Sequence, residues 1–77
     1  MTAELIEITI GRRMREYRKR AGRKQGDIAR AAHIGQSTLS LYETGQRAVP
    51  LLTALIVARE LGVSITDFLP APEDVAS

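Results

Sequence analysis

A chain of 77 residues without a single cysteine must close its core by packing alone, because neither a disulfide framework nor a thiolate metal site is open to it. At that length there is room for one small domain, which excludes a two-domain enzyme with its own cofactor fold. One Phe, two Tyr and no Trp among 44% apolar residues leave an aliphatic core, a composition that suits small packed helices better than a sandwich or barrel. No apolar run approaches the roughly 18 residues of a membrane span. Residues 1–10 carry Glu4 and Glu7 rather than a basic head and an apolar stretch. These features predict a soluble, cytoplasmic chain without membrane association.

The apolar residues follow helical periods throughout. Ile6, Ile10, Met14, Tyr17 and Ala21 form one stripe of a first helix that ends near Gly22. Residues 25–32 make a short second helix with Ile28, Ala29 and Ala32 inward, weakened by Gly26 at a cost of about 1 kcal/mol relative to alanine. After a turn over 33–35, Gly35 can cap a third helix over 36–44 with Leu39 and Tyr42 inward, and Gly45 stops it. Pro50 opens a fourth helix running to Leu61. Leu51, Leu52, Leu55, Ile56, Ala58 and Leu61 make that helix apolar over much of its circumference, so it is expected to be the central one. Gly62 ends it, Ser64 caps a last short helix over 65–69, and Pro70 with Pro72 stop the pattern. The expectation is an all-α domain of five short helices over 6–69, followed by a disordered tail over 70–77.

Charge is distributed unevenly along these elements. Eight basic residues (Arg12, Arg13, Arg15, Arg18, Lys19, Arg20, Arg23 and Lys24) meet one acid, Glu16, within residues 12–24, so that window carries +7 and the rest of the chain −5. A concentration of this kind is an electrostatic footprint for a polyanion, and it is also what a solvated helix face looks like.

Two short helices joined by a tight turn, behind a basic first helix, are the mechanical parts of a helix-turn-helix reader, here over about 25–44 with the recognition helix at 36–44. The runs Gln25-Gly26-Asp27-Ile28-Ala29 and Gln36-Ser37-Thr38-Leu39-Ser40-Leu41-Tyr42-Glu43-Thr44-Gly45, with Arg47 and Leu61-Gly62-Val63-Ser64, resemble the lambda-repressor-like helix-turn-helix family, also called Cro/C1 or XRE type. The resemblance extends from about residue 10 to 69. Its Gly35-Gln36-Ser37 lead-in is similar to that of the phage lambda repressor. It implies a sequence-specific, double-stranded DNA-binding transcriptional regulator of bacterial, plasmid or phage context, acting as a repressor.

The residues themselves fit major-groove readout. Glutamine can bond adenine N6 and N7 together and serine serves several bases, so Gln36 and Ser37 in the first turn of the recognition helix are candidate base contacts. Both are also ordinary composition for a helix start. Leu41, one turn on from Ser37 and beside Ser40, can pack on thymine methyl groups, or alternatively form a small protein interface. The resemblance implies backbone phosphate contacts from Gln25, which also braces Gln36, and from Thr44 and Arg47, which flank the Gly45 turn. Lys24 and Arg23 add nonspecific attraction. Arg47 is alternatively a solvated loop charge. Arg18 and Glu43 match a structural ion pair that, in many members of the family, links the first helix to the end of the recognition helix.

Three positions depart from the family pattern. His33 stands where glycine is usual, at a cost on the order of 1 kcal/mol if its backbone is left-handed. Lys24 and Gly35 replace hydroxyl caps. A lone His33 makes no metal site, no glycine-rich GxxxxGK loop is present, and every acid has a plain structural account, so neither a cofactor nor enzymatic activity is expected. One such module reads few base pairs, which implies a homodimer on a near-palindromic operator. Ile65, Phe68 and Leu69 are the candidate interface, although Phe68 can equally close the monomer core. The dimer is expected to be weak off DNA, no separate C-terminal dimerisation domain is expected, and a protein partner of antitoxin type is the alternative.

Overall fold

The computed structural model describes residues 3–70 as four α-helices and one 3-10 turn: α1 (Ala3–Arg20), α2 (Gln25–Ala31), α3 (Gln36–Glu43), α4 (Leu51–Leu61) and η1 (Ile65–Phe68). Of the expected tail over 70–77, residues 71–77 lie outside the described segment. Among the described residues there is no strand, and no helix is long and apolar enough to cross a membrane.

α1 carries the core stripe through Ile10 and Met14, with Ile6 and Tyr17 partly buried against it. Ala21 does not extend that stripe. The helix ends at Arg20, the chain reverses through Gly22 at φ 67, and Ala21 is left exposed. The reversal is closed by the Gly22 N–H on the Lys19 carbonyl and the Arg23 N–H on the Arg18 carbonyl, which satisfies two carbonyls that a helix end leaves free. The N-terminal end runs further than the apolar period indicates, since α1 begins at Ala3. Periodicity marks only what a helix buries, and the first turn of α1 precedes the first core residue.

α2 and α3 contribute Ile28, Ala29, Ala32, Leu39 and Tyr42 to the core. The turn between them has His33 at φ 57, the left-handed geometry that a side chain disfavours. Val49 in the loop after α3 is fully buried beside them.

α4 is not wrapped on all sides. It packs on α1, α2 and η1 through Ala54, Val57 and Ala58, whereas Leu51, Leu52 and Leu55 are 59%, 69% and 44% exposed. The expectation of a central helix fails because the other elements cover only one face of it. The last element is a 3-10 turn rather than an α-helix, closed by a reciprocal cap. The Ser64 hydroxyl accepts from the Thr66 N–H, and the Asp67 carboxylate accepts from the Ser64 N–H at 3.0 Å. It delivers Phe68 to the centre of the core, edge-on to Tyr17 with ring centroids 5.6 Å apart.

Candidate nucleic-acid interface

α3 begins after Gly35, whose extended backbone (φ −71, ψ 151) carries no side chain to cap the helix. Its first turn is therefore open to solvent, and Gln36 and Ser37 stand exposed on it. Ser40 and Leu41, further along, are half-buried.

The opposite end of α3 is anchored. Glu43 is only 2% exposed, and a carboxylate at that depth needs partners for both oxygens. Arg18 supplies a bidentate fork, with Nε donating to Oε2 at 2.7 Å and Nη2 to Oε1 at 2.9 Å. Its remaining nitrogen, Nη1, donates to the Arg23 carbonyl at 2.9 Å, tying the α1–α2 turn into the same cluster. The hydrogen bond to Glu43 raises the Arg18 guanidinium above its ordinary range despite the opposite pull of burial, and the adjacent negative charge adds to the effect.

From Glu43 the chain of bonds runs outward to the exposed end. Gln25 Nε2 donates to Glu43 Oε1 at 3.1 Å, and Gln36 Nε2 donates to Gln25 Oε1 at 3.4 Å. A carboxylate is acceptor-only, so it dictates that the Gln25 amide present nitrogen inward and oxygen outward. Gln25 then imposes the same polarity on Gln36. The Gln36 Oε1 and the second Nε2 proton remain available, one acceptor and one donor, the pair that an adenine edge requires.

The other candidate residues fall into two groups. Thr44, Arg47 and Lys24 are exposed. The Thr44 hydroxyl donates to the Ser40 carbonyl at 2.9 Å and accepts from Gln46 Nε2 at 2.9 Å, which orders the turn after α3. Among the described residues Arg47 and Lys24 form no ion pair. Arg23 is different, because its Nη2 lies 2.8 Å from Glu60 Oε1, so its charge is already paired across to the end of α4. Phe68 also leaves the candidate interface set, being fully buried within the monomer, while Ile65 and Leu69 are only partly covered.

Sequence reasoning missed an open groove of about 510 Å³ between α1 and the end of α3, lined by Arg12, Arg15, Glu16, Lys19, Glu43 and Thr44. The basic run was visible, but not which of its members share a wall with α3. Gly11, which lies against the Tyr42 main-chain carbonyl of α3, was missed as well. Its signal was an isolated glycine inside a helical pattern, which marks a close approach of backbone.

A two-helix reader with an uncapped, exposed first turn on its second helix, braced from behind by a buried ion pair, is the architecture of a DNA-binding domain. Residues 14–68 match the family model described as helix-turn-helix, and the chain belongs to that family, in its lambda-repressor-like, Cro/C1 or XRE branch, and with it to the DNA-binding transcription regulators. Among solved structures the chain is similar to the crystal structure of a hypothetical transcription factor, NHTF, from Neisseria. That likeness is one of fold, with a TM-score of 0.74 and 22% identity over 99% of this chain and 88% of the other. No curated protein sequence matches the chain.

Proposed function

We propose that this domain reads a near-palindromic operator as a homodimer and acts as a repressor, placing α3 in the major groove with Gln36 and Ser37 on base edges and Leu41 with Ser40 behind them. The observation that supports this reading is the oriented amide chain from Glu43 through Gln25 to Gln36, which prepares one donor and one acceptor at the exposed end of α3. Arg47, Thr44, Lys24 and the second amide proton of Gln25 serve as backbone phosphate contacts in this reading.

The dimer follows from the arithmetic of recognition: a single module contacts too few bases to distinguish one site in a genome. Exposed apolar side chains suited to a second copy are Leu51, Leu52 and Leu55 on α4, and the partly covered Ile65 and Leu69 remain candidates beside them in the argument for a dimer.

Selection of bound sequences from a randomised duplex library tests the reading. The expected result is a palindromic motif with half-sites about one helical turn apart, from which Gln36→Ala removes about 1–3 kcal/mol of preference at one base pair. Arg47→Ala weakens all sequences alike and lowers the salt slope by about one. Recovery of no motif, or an unchanged preference in Gln36→Ala, overturns the assignment. Copurification of a stoichiometric heterologous protein on the α4 leucines replaces the homodimer.

A further inference from the structure

We infer that the groove between α1 and the C-terminal end of α3 is a second phosphodiester-binding surface, which holds DNA backbone beyond the bases that α3 reads. Arg12, Arg15 and Lys19 follow one another at spacings of three and four, so they stand on one face of α1, and all three line this groove. Among the described residues none of them forms an ion pair. Like charges at these spacings repel, and Glu16, on the same helix, offsets only part of that repulsion. A bound anion would offset the rest.

The acids nearby do not fill the role. Glu43 lies in the wall, but both of its oxygens are already taken by Arg18 and Gln25. Glu16 alone remains against three cations.

Position identifies the anion as backbone of the same duplex. Thr44 belongs both to the groove and to the turn that leads to Arg47, so the two surfaces are continuous. The Arg12 guanidinium lies over that turn, with Nε 3.6 Å from where a Cβ on Gly45 would stand. Across the seven residue steps of α3, the groove sits about 10 Å along the helix from Gln36, at a rise of about 1.5 Å per residue. It therefore serves phosphates beside Thr44 and the turn to Arg47 rather than those at the Gln36 end of α3. The inference rests on the operator-binding reading above, and its test separates the two.

The experiment measures the salt dependence of binding by the full chain to its selected operator. Duplexes are either trimmed to the recovered site or extended by about one helical turn on each side. Arg12→Gln with Arg15→Gln is compared with Arg30→Gln plus Arg59→Gln, an equal charge change on exposed residues away from the groove. The groove pair is expected to lower the slope of log affinity against log salt by about 0.9 for each phosphate no longer neutralised, on the extended duplex only and with base preference unchanged. The control pair is expected to leave that slope within error of wild type. Equal slopes for the two pairs, or equal losses on trimmed and extended duplexes, overturn the groove assignment while leaving the operator reading intact. Absence of sequence preference in the wild-type protein overturns the reading itself. Lys19→Gln, distant from the Gly45 turn, carries the same comparison if the double variant melts early. A groove that instead binds an acidic peptide, with DNA slopes unchanged, rejects the inference.

Discussion

Gly11, in the middle of α1, lies directly against the main-chain carbonyl of Tyr42 in α3. A Cβ added at Gly11 would fall inside that carbonyl and 3.0 Å from Val49 Cγ2. The two helices touch backbone to backbone at this point, and this approach sets the distance from which Arg18, two turns further along α1, reaches Glu43 at the end of α3. A glycine in a helix interior costs about 1 kcal/mol relative to alanine. Here the close approach is what that cost supports.

Gly11→Ala is therefore expected to destabilise the domain, against the helix-propensity rule. The Tyr42 carbonyl is backbone and cannot move aside cheaply, so the loss should reach about 1–3 kcal/mol. Denaturant unfolding checks it, and an increase in stability would show that α1 and α3 can separate without loss.

Gly26→Ala should have the opposite sign. A Cβ there meets only the Gln36 side-chain amide, with Oε1 nearest at 3.3 Å, the far end of a flexible side chain. The helix gains up to about 1 kcal/mol, whereas the Gln36 amide is displaced. The expected phenotype is a higher melting temperature together with altered preference at the base pair that Gln36 reads, measured by unfolding and by binding to a panel of single-base variants.

Arg18→Met leaves Glu43 buried without its charged partner. Breaking a buried pair from one side costs about 3–5 kcal/mol, and this pair stands toward the lower figure because Arg18 keeps 12% exposure. Thermal unfolding should show a large drop in midpoint, and unchanged melting rejects the anchoring role.

Glu43→Gln tests orientation rather than stability alone. An amide in place of the carboxylate can present nitrogen or oxygen to Gln25, so the polarity imposed on Gln25 and Gln36 is lost. Discrimination at the Gln36 base pair should fall while the salt dependence of binding stays unchanged. A variant that loses affinity uniformly for all sequences contradicts the relay.

His33→Gly removes a left-handed side chain. Relief of about 1–2 kcal/mol is partly offset by the greater freedom of glycine in the unfolded chain, about 0.4–1 kcal/mol. A net gain of about 0.5–1 kcal/mol is expected, read as a higher midpoint in urea.

Much of the helical order was legible because it is local. Gly22, Gly35, Gly45, Pro50 and Gly62 delimit the elements within a residue or two of where they occur, since each breaks or starts a helix through its own backbone. The stripe of Ile10 and Met14 is readable for the same reason, whereas the left-handed backbone of His33 was expected only from the family resemblance, which puts glycine there. The 3-10 character of residues 65–68 was not. Ser64 and Asp67 close a cap in either geometry, and the choice depends on how Phe68 must reach the core.

At the site, the sequence by itself determined which residue types stand at the start of α3 and that a basic run precedes it, because helical spacing alone places them. Only the tertiary structure decided how they are used. Gly11 brings α1 onto α3, where Arg18 meets Glu43 and Gln25 links to Gln36 as the family resemblance implied, and the same approach leaves Arg12, Arg15 and Lys19 lining a groove that nothing in the sequence marked. The reversal at Gly22 sends Arg23 to Glu60, and the one-sided cover of α4 leaves Leu51, Leu52 and Leu55 in solvent. Periodicity records which residues share a face of their own helix. Which face another helix covers, and which charges meet across the gap, is set by packing between segments far apart in the chain.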